Sequence, residues 1–167
     1  LMKENPSKAV TFVDNHDTQP GQSLQSFVER WFKLPGYALI LLRDEGYPCV
    51  FYGDYYGIPH DNVEPIKELE TIITLRKEKA YGKQNDYFDN PNCIGWTREG
   101  DNEHIKSGLA VLISNKNDTE KRMYIGKDYA GEKMLDAIGN CNEEVIIDGE
   151  GYGVFKVKAK SVSVWVM

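Results

Sequence analysis

The 167 residues, 41% hydrophobic and 28% charged, have the composition of a folded protein and exclude a disordered chain. Twenty basic against 26 acidic residues leave a formal charge of −6, which argues against nucleic acid as the main partner and favours a neutral ligand. The longest apolar run, residues 37–42, is far too short to span a membrane, so no membrane partner is expected.

The chain begins Leu1-Met2-Lys3 with no charged segment leading into an apolar one, so no signal peptide is visible. A leucine at position 1, with a motif-bearing strand close behind it, suggests that sequence precedes it. Cys49, Cys93 and Cys141 have no Cys-x-x-Cys spacing, which indicates neither a zinc site nor a disulfide framework. Their odd number points towards a reducing, cytoplasmic-type compartment, with secretion left open and Cys93–Cys141 the pair that could bridge if geometry allowed.

The first element is a buried-type strand over residues 10–17, Val-Thr-Phe-Val-Asp-Asn-His-Asp, which delivers ionisable side chains at its polar end. Thr18-Gln19-Pro20-Gly21-Gln22-Ser23 follows as a loop, with Ser23 able to cap a helix over residues 24–45. Leu24, Phe27, Val28 and Trp31 have the spacing of one helical face, and Pro35-Gly36 predicts a kink or break. Residues 48–52 read as a second buried strand, and residues 63–79 as a helix with Ile66, Leu69, Ile72, Ile73 and Leu75 on its apolar side. This strand–helix–strand–helix order is the pattern of a parallel sheet covered by helices.

From about residue 84 the pattern changes to short runs separated by Gly, Asn and Asp, at residues 93–98, 109–114, 121–125, 144–147, 154–157 and 161–166. Such runs predict an antiparallel Greek-key sandwich, with a domain boundary at residues 80–83. Trp96 and Trp165 are expected in its core.

His16 and Asp17 carry the clearest chemistry. Being adjacent, they would point to opposite faces of a continuing strand, and can share a site only if the backbone bends there. Taken alone, the pair reads more readily as a hydrogen-bonded strand end than as a catalytic pair. A transition-metal site is not indicated, because His60 and His104 lie in loops and no His-x-x-x-His spacing exists. Trp31, Tyr37 and Phe51 read as core aromatics, whereas Tyr55 and Tyr56 follow the second strand and are better placed to face a cleft.

Phe12-Val13-Asp14-Asn15-His16-Asp17-Thr18-Gln19-Pro20 resembles the fourth conserved region of the α-amylase family, glycoside hydrolase family 13, at the end of the seventh barrel strand. The resemblance continues through Trp31-Phe32-Lys33, Gly46-Tyr47-Pro48, Val50-Phe51-Tyr52-Gly53-Asp54 and Gly95-Trp96-Thr97-Arg98-Glu99-Gly100, towards the bacterial liquefying and cytoplasmic branch. It implies an α/β plus all-β chain: residues 1–83 are the last two βα units of a TIM-type (β/α)8 barrel, and residues 84–167 the all-β C-terminal domain.

The resemblance further implies hydrolysis of internal α-1,4-glucosidic bonds of starch, glycogen or maltodextrin with retention. Asp17 would be the transition-state-stabilising third carboxylate, His16 a donor to the same sugar, and Gln19 a further substrate-binding residue. The nucleophile and general acid come from earlier barrel strands in this family, and no matching motif occurs here; Asp14 and Asp54 read as turn and surface carboxylates. The isolated chain is therefore expected to be inactive without the missing N-terminal barrel portion. Calcium is expected for the intact enzyme, but the segment after Tyr87-Phe88-Asp89 continues Asn90-Pro91-Asn92, which is poor in the charged oxygens that a hard cation prefers. The alternative is a non-catalytic carbohydrate-binding or structural β-module made of residues 84–167.

Overall fold

The computed structural model describes residues 2–167, and the chain divides into two compact units, Leu1–Ile73 and Thr74–Met167. Regular structure in the first unit is sparse because side chains and prolines take up backbone groups that longer elements would need. Strand β1 (Val10–Thr11) pairs in parallel with β2 (Tyr47–Pro48), in the register Val10 to Tyr47 and Thr11 to Pro48. Tyr47 N–H donates to Ala9 O (2.8 Å) and Cys49 N–H to Thr11 O (2.7 Å), extending the pairing beyond both strands.

Both strands are shorter than the sequence predicts. After β1 the chain enters a side-chain-capped turn at Asn15. After β2, Asp54 N–H donates to Phe51 O (3.1 Å), so the apolar run expected to continue as a strand starts helix α2 (Tyr52–Tyr56) instead.

Helix α1 spans Arg30–Leu41, not 24–45. Its expected first turns cannot form, because Ser26 N–H donates to Thr18 O (3.0 Å) and Val28 N–H to the Asp14 carboxylate (3.2 Å). The Arg30 guanidinium then ties the helix start to the carbonyls of Glu64 (2.6 Å) and Pro65 (2.9 Å). Pro35 does not break the helix; it lies inside the continuous element, five residues past the first. Helix α3 covers Leu69–Glu78 and starts later than the predicted residue 63. Pro65 disfavours helical backbone at the residue before it, and Ile66 N–H is taken by Asp54 O (2.9 Å).

The second unit is an antiparallel sandwich. Its larger sheet contains β3 (Gln84–Asn90), β4 (Cys93–Arg98), β5 (Leu109–Ser114), β7 (Lys133–Asp136), β8 (Val145–Ile146) and β10 (Ser161–Val166), in the order β3-β4-β5-β10-β7-β8. The smaller sheet pairs β6 (Thr119–Tyr124) with β9 (Tyr152–Val157). Ala110, Leu112 and Trp165 from the larger sheet meet Met123, Phe155 and Val157 from the smaller one in a shared core. Trp96 and Trp165 are fully buried, and the Trp165 indole N–H is satisfied by Lys156 O (3.1 Å) and Ser163 Oγ (2.9 Å). Cys93 and Cys141 are buried free thiols in this unit, so the pairing that their positions allowed is not formed.

All six predicted strand runs correspond to observed strands, and β3 and β7 are additional. Close backbone approach fixes one end of this unit: Gly82 and Gly100 form a parallel bridge, both with positive φ, and a Cβ on Gly82 would lie 1.8 Å from Gly100 O.

Asp136, at the end of β7, is buried and accepts from the N–H groups of Ile138 (3.1 Å), Asn140 (2.9 Å), Cys141 (3.0 Å) and Val164 (2.9 Å). Burial pushes its carboxyl above the ordinary range while these donors act against the push. Asp136→Ala leaves several buried donors unpaired and should lower stability by about 3 kcal/mol in urea unfolding; a loss below about 1 kcal/mol would contradict this role.

Val10, Phe12, Leu24 and Tyr47 are exposed apolar residues of the first unit. Limited proteolysis of the isolated chain should therefore remove material before about residue 83 and spare the sandwich. Equal protection of both parts would count against this.

Candidate functional site

The bend that His16 and Asp17 require is made by Asn15. Its side-chain oxygen accepts from Asp17 N–H (2.9 Å) and Thr18 N–H (3.1 Å), closing a tight turn that starts four residues past the end of β1. Thr18 Oγ1 locks the turn from the other side, accepting from Asn15 N–H (3.2 Å) while its one proton is shared between Asn15 O (3.3 Å) and Asp14 Oδ1 (3.4 Å). On this turn both adjacent side chains reach solvent. His16 is 83% and Asp17 61% exposed, with Nε2 3.5 Å from Oδ1. Gln19 lies half-buried in the next turn, where its carbonyl accepts from Gln22 N–H (3.3 Å).

Beneath the turn lies a group of ionisable residues that the sequence reading misassigned. Asp14 and Asp54 are not surface carboxylates; they are 2% and 1% exposed, and both pair with Lys33, itself 2% exposed. The Lys33 ammonium lies 2.8 Å from Asp14 Oδ2, contacts Asp54 Oδ1, and sits over the Phe27 ring at 3.2 Å from its centroid. The Tyr37 hydroxyl donates to Asp54 Oδ2 (2.6 Å) and accepts from Phe51 N–H (3.3 Å). Burial, and then the Asp54 carboxylate, push the Tyr37 phenol well above its ordinary range, so it serves as a donor throughout the physiological range. Asp14 Oδ1 receives Val28 N–H (3.2 Å) and the Thr18 hydroxyl (3.4 Å).

The sequence did contain a signal for this group. Lys33 and Tyr37 are four residues apart on α1, so they share a helical face, and Lys33 stands among Trp31, Phe32, Leu34 and Pro35. A lysine within so apolar a run is placed to neutralise buried carboxylates.

The aromatic expectations divide. Tyr37 is fully buried, Trp31 and Phe51 are half-buried, and Tyr56 is exposed beside Tyr52, their ring centroids 4.6 Å apart. Tyr55 is half-buried, with its ring 4.7 Å from that of Tyr56.

The remaining histidines form local pairs, His60 with Asp61 (3.1 Å) and His104 with Asp101 (2.8 Å). Among the described residues no three His, Cys, Asp or Glu side chains converge as a metal-ligand set. The segment after Tyr87 and Phe88 does not fit calcium: Asp89 is paired with Lys121, and the Asn90 side-chain oxygen accepts from Asn92 N–H (2.9 Å). Asp89 is thus engaged with β6 and Asn90 with the β3–β4 turn.

Two short parallel strands and a His–Asp turn are thus followed along the chain by an antiparallel sandwich. In fold the chain is similar to a γ-CGTase from alkalophilic Bacillus clarkii (TM-score 0.64, 19% identity, covering 99% of this chain and 28% of that one). It is equally similar to an Anoxybacillus α-amylase (TM-score 0.65, 16% identity, 98% and 38% covered). Residues 109–166 match the family model described as α-amylase C-terminal.

Sequence similarity extends over the whole chain. It is 54% identical to an α-amylase of Geobacillus stearothermophilus, covering 99% of this chain and 30% of that protein. It is 50% identical to a glucan 1,4-α-maltohexaosidase of Bacillus sp. (strain 707), with 99% and 32% covered, and 42% identical to a cytoplasmic α-amylase of Escherichia coli (strain K12), with 100% and 36% covered. The chain belongs to the α-amylase family, glycoside hydrolase family 13, and corresponds to the C-terminal portion of its members. It spans about a third of the length of these relatives.

Proposed function

We propose that this chain forms the end of the catalytic (β/α)8 barrel and the C-terminal domain of an α-amylase that cleaves internal α-1,4-glucosidic bonds of starch, glycogen or maltodextrin with retention. The observation that carries the reading is the Asn15-capped turn, which directs His16 and Asp17 outward together at the polar end of a parallel strand. Catalytic side chains of barrel enzymes occupy this end of the strands. The exposed Val10, Phe12 and Tyr47 around the two-stranded sheet suit the reading as well, since neighbouring barrel strands would cover them.

In this role the Asp17 carboxylate accepts hydrogen bonds from sugar hydroxyls, and His16 donates to the same ring. Both interactions strengthen as the ring flattens towards an oxocarbenium-like transition state, so they lower the barrier without breaking a bond. Gln19 flanks the same subsite. Bond cleavage with retention needs a nucleophile and a general acid about 5–5.5 Å apart, which other barrel strands of the full-length enzyme would supply. Calcium, where the full-length enzyme uses it, would be held outside this chain.

A second reading, a carbohydrate-binding or structural β-module, draws on the sandwich itself, which has its own core and a cleft of about 790 Å³ lined by Tyr129, Ile105, Asn102 and several carboxylates. Binding of maltooligosaccharide by the isolated chain, abolished by Tyr129→Ala, would favour it.

In the full-length enzyme, Asp17→Asn should lower kcat by roughly 100-fold or more with little change in unfolding midpoint. Near-normal turnover would overturn the assigned role. The isolated 167-residue chain should release no reducing sugar from soluble starch; measurable release would show that it holds a complete catalytic set.

A further inference from the structure

The turn that presents His16 and Asp17 is connected by a series of polar contacts to a deeply buried ammonium in the first unit. Lys33 pairs with Asp14 Oδ2 at 2.8 Å, and Asp14 Oδ1 receives the Thr18 hydroxyl at 3.4 Å. That same hydroxyl accepts Asn15 N–H at 3.2 Å, and Asn15 Oδ1 in turn holds the N–H groups of Asp17 and Thr18. On its other side Lys33 contacts Asp54 of α2, which Tyr37 also holds. A single ammonium therefore joins the loop after β1 to the helix after β2.

From this we infer that Lys33 is a positioning residue for the His16–Asp17 turn, clamping the two strand-end segments through Asp14 and Asp54. It touches no substrate, and it rests on the reading that Asp17 meets the sugar. Two buried carboxylates face each other across one cation, so neutralising that cation forces at least one of them to move or take up a proton. Asp14 is the one that carries the Thr18 hydroxyl and hence the turn. A shift of about 1 Å at a side chain that acts chiefly in the transition state can cost on the order of 100-fold in rate, and the loss falls on kcat more than on KM.

The test uses the full-length enzyme with a defined maltooligosaccharide, below the unfolding temperature, with activity normalised to folded protein by circular dichroism. Lys33→Met should lower kcat about 10- to 100-fold with KM changed less than about threefold. Combined with Asp17→Asn it should add little, because the group it positions is already disabled.

Thr18→Ala covers the case in which Lys33→Met fails to fold. It cuts the contact series outside the buried charges and should lower kcat about 10-fold with a nearly unchanged unfolding midpoint. Wild-type kcat per folded molecule in Thr18→Ala or Lys33→Met, or full multiplicative loss in the Lys33→Met and Asp17→Asn double variant, would overturn the positioning role while Asp17→Asn alone stays impaired. Near-normal turnover of Asp17→Asn would instead overturn the functional reading beneath it.

Discussion

One buried ammonium organises the first unit. Lys33 is held by two carboxylates that come from segments 40 residues apart in sequence, Asp14 and Asp54, and each carboxylate has further work for its second oxygen. Removing three charges from water costs several kcal/mol per ion, so such a group persists only when nearly every lone pair and proton finds a partner. Here the partners are Val28 N–H, the Thr18 and Tyr37 hydroxyls, and the face of Phe27, while Asp14 Oδ2 is met by the Lys33 charge without an aligned hydrogen bond. The requirement explains much of the surrounding structure. Helix α1 starts late because Val28 N–H is committed to Asp14, and the His16–Asp17 turn has a fixed base because Thr18 is.

The sandwich meets the same constraint differently. Asp136 is a buried carboxylate that backbone N–H groups from β10 and from the turn after β7 compensate. A carboxylate satisfied by backbone donors pins loop geometry but carries nothing onward to a surface. The Lys33 group differs in ending at the exposed His16–Asp17 turn.

These two cases also explain what was legible in the sequence. Strands β4, β5 and β10 lie in the middle of the larger sheet and are built almost wholly of buried residues, so their short apolar runs announced them. Strand β3, Gln-Asn-Asp-Tyr-Phe-Asp-Asn, is a polar edge strand formed through its hairpin with β4, and β7 turns Leu135 outwards while burying Asp136. Neither has the apolar–polar alternation in sequence that marks a half-buried strand, although β7 alternates in burial. Helix lengths were over-read because periodicity registers side-chain faces, whereas Asp14 and Pro65 act on backbone donors and torsions. The His16–Asp17 turn was legible because Asn15, Pro20 and Gly21 are local signals. Its support was not, since the pairing of Asp14 with Lys33 and Asp54 is a long-range event that no short window contains.

The family relationship and the geometry meet at this turn. Relatives 54% and 42% identical over nearly the whole chain are α-amylases in name, and the turn presents adjacent histidine and carboxylate side chains, 83% and 61% exposed, to solvent. The most direct test is a crystal structure of the full-length enzyme with a bound maltooligosaccharide. It should show Asp17 and His16 within about 2.6–3.2 Å of hydroxyls on one sugar ring, with Lys33 still bridging Asp14 and Asp54 beneath them. A sugar seated in the active site and touched by neither side chain would contradict the account.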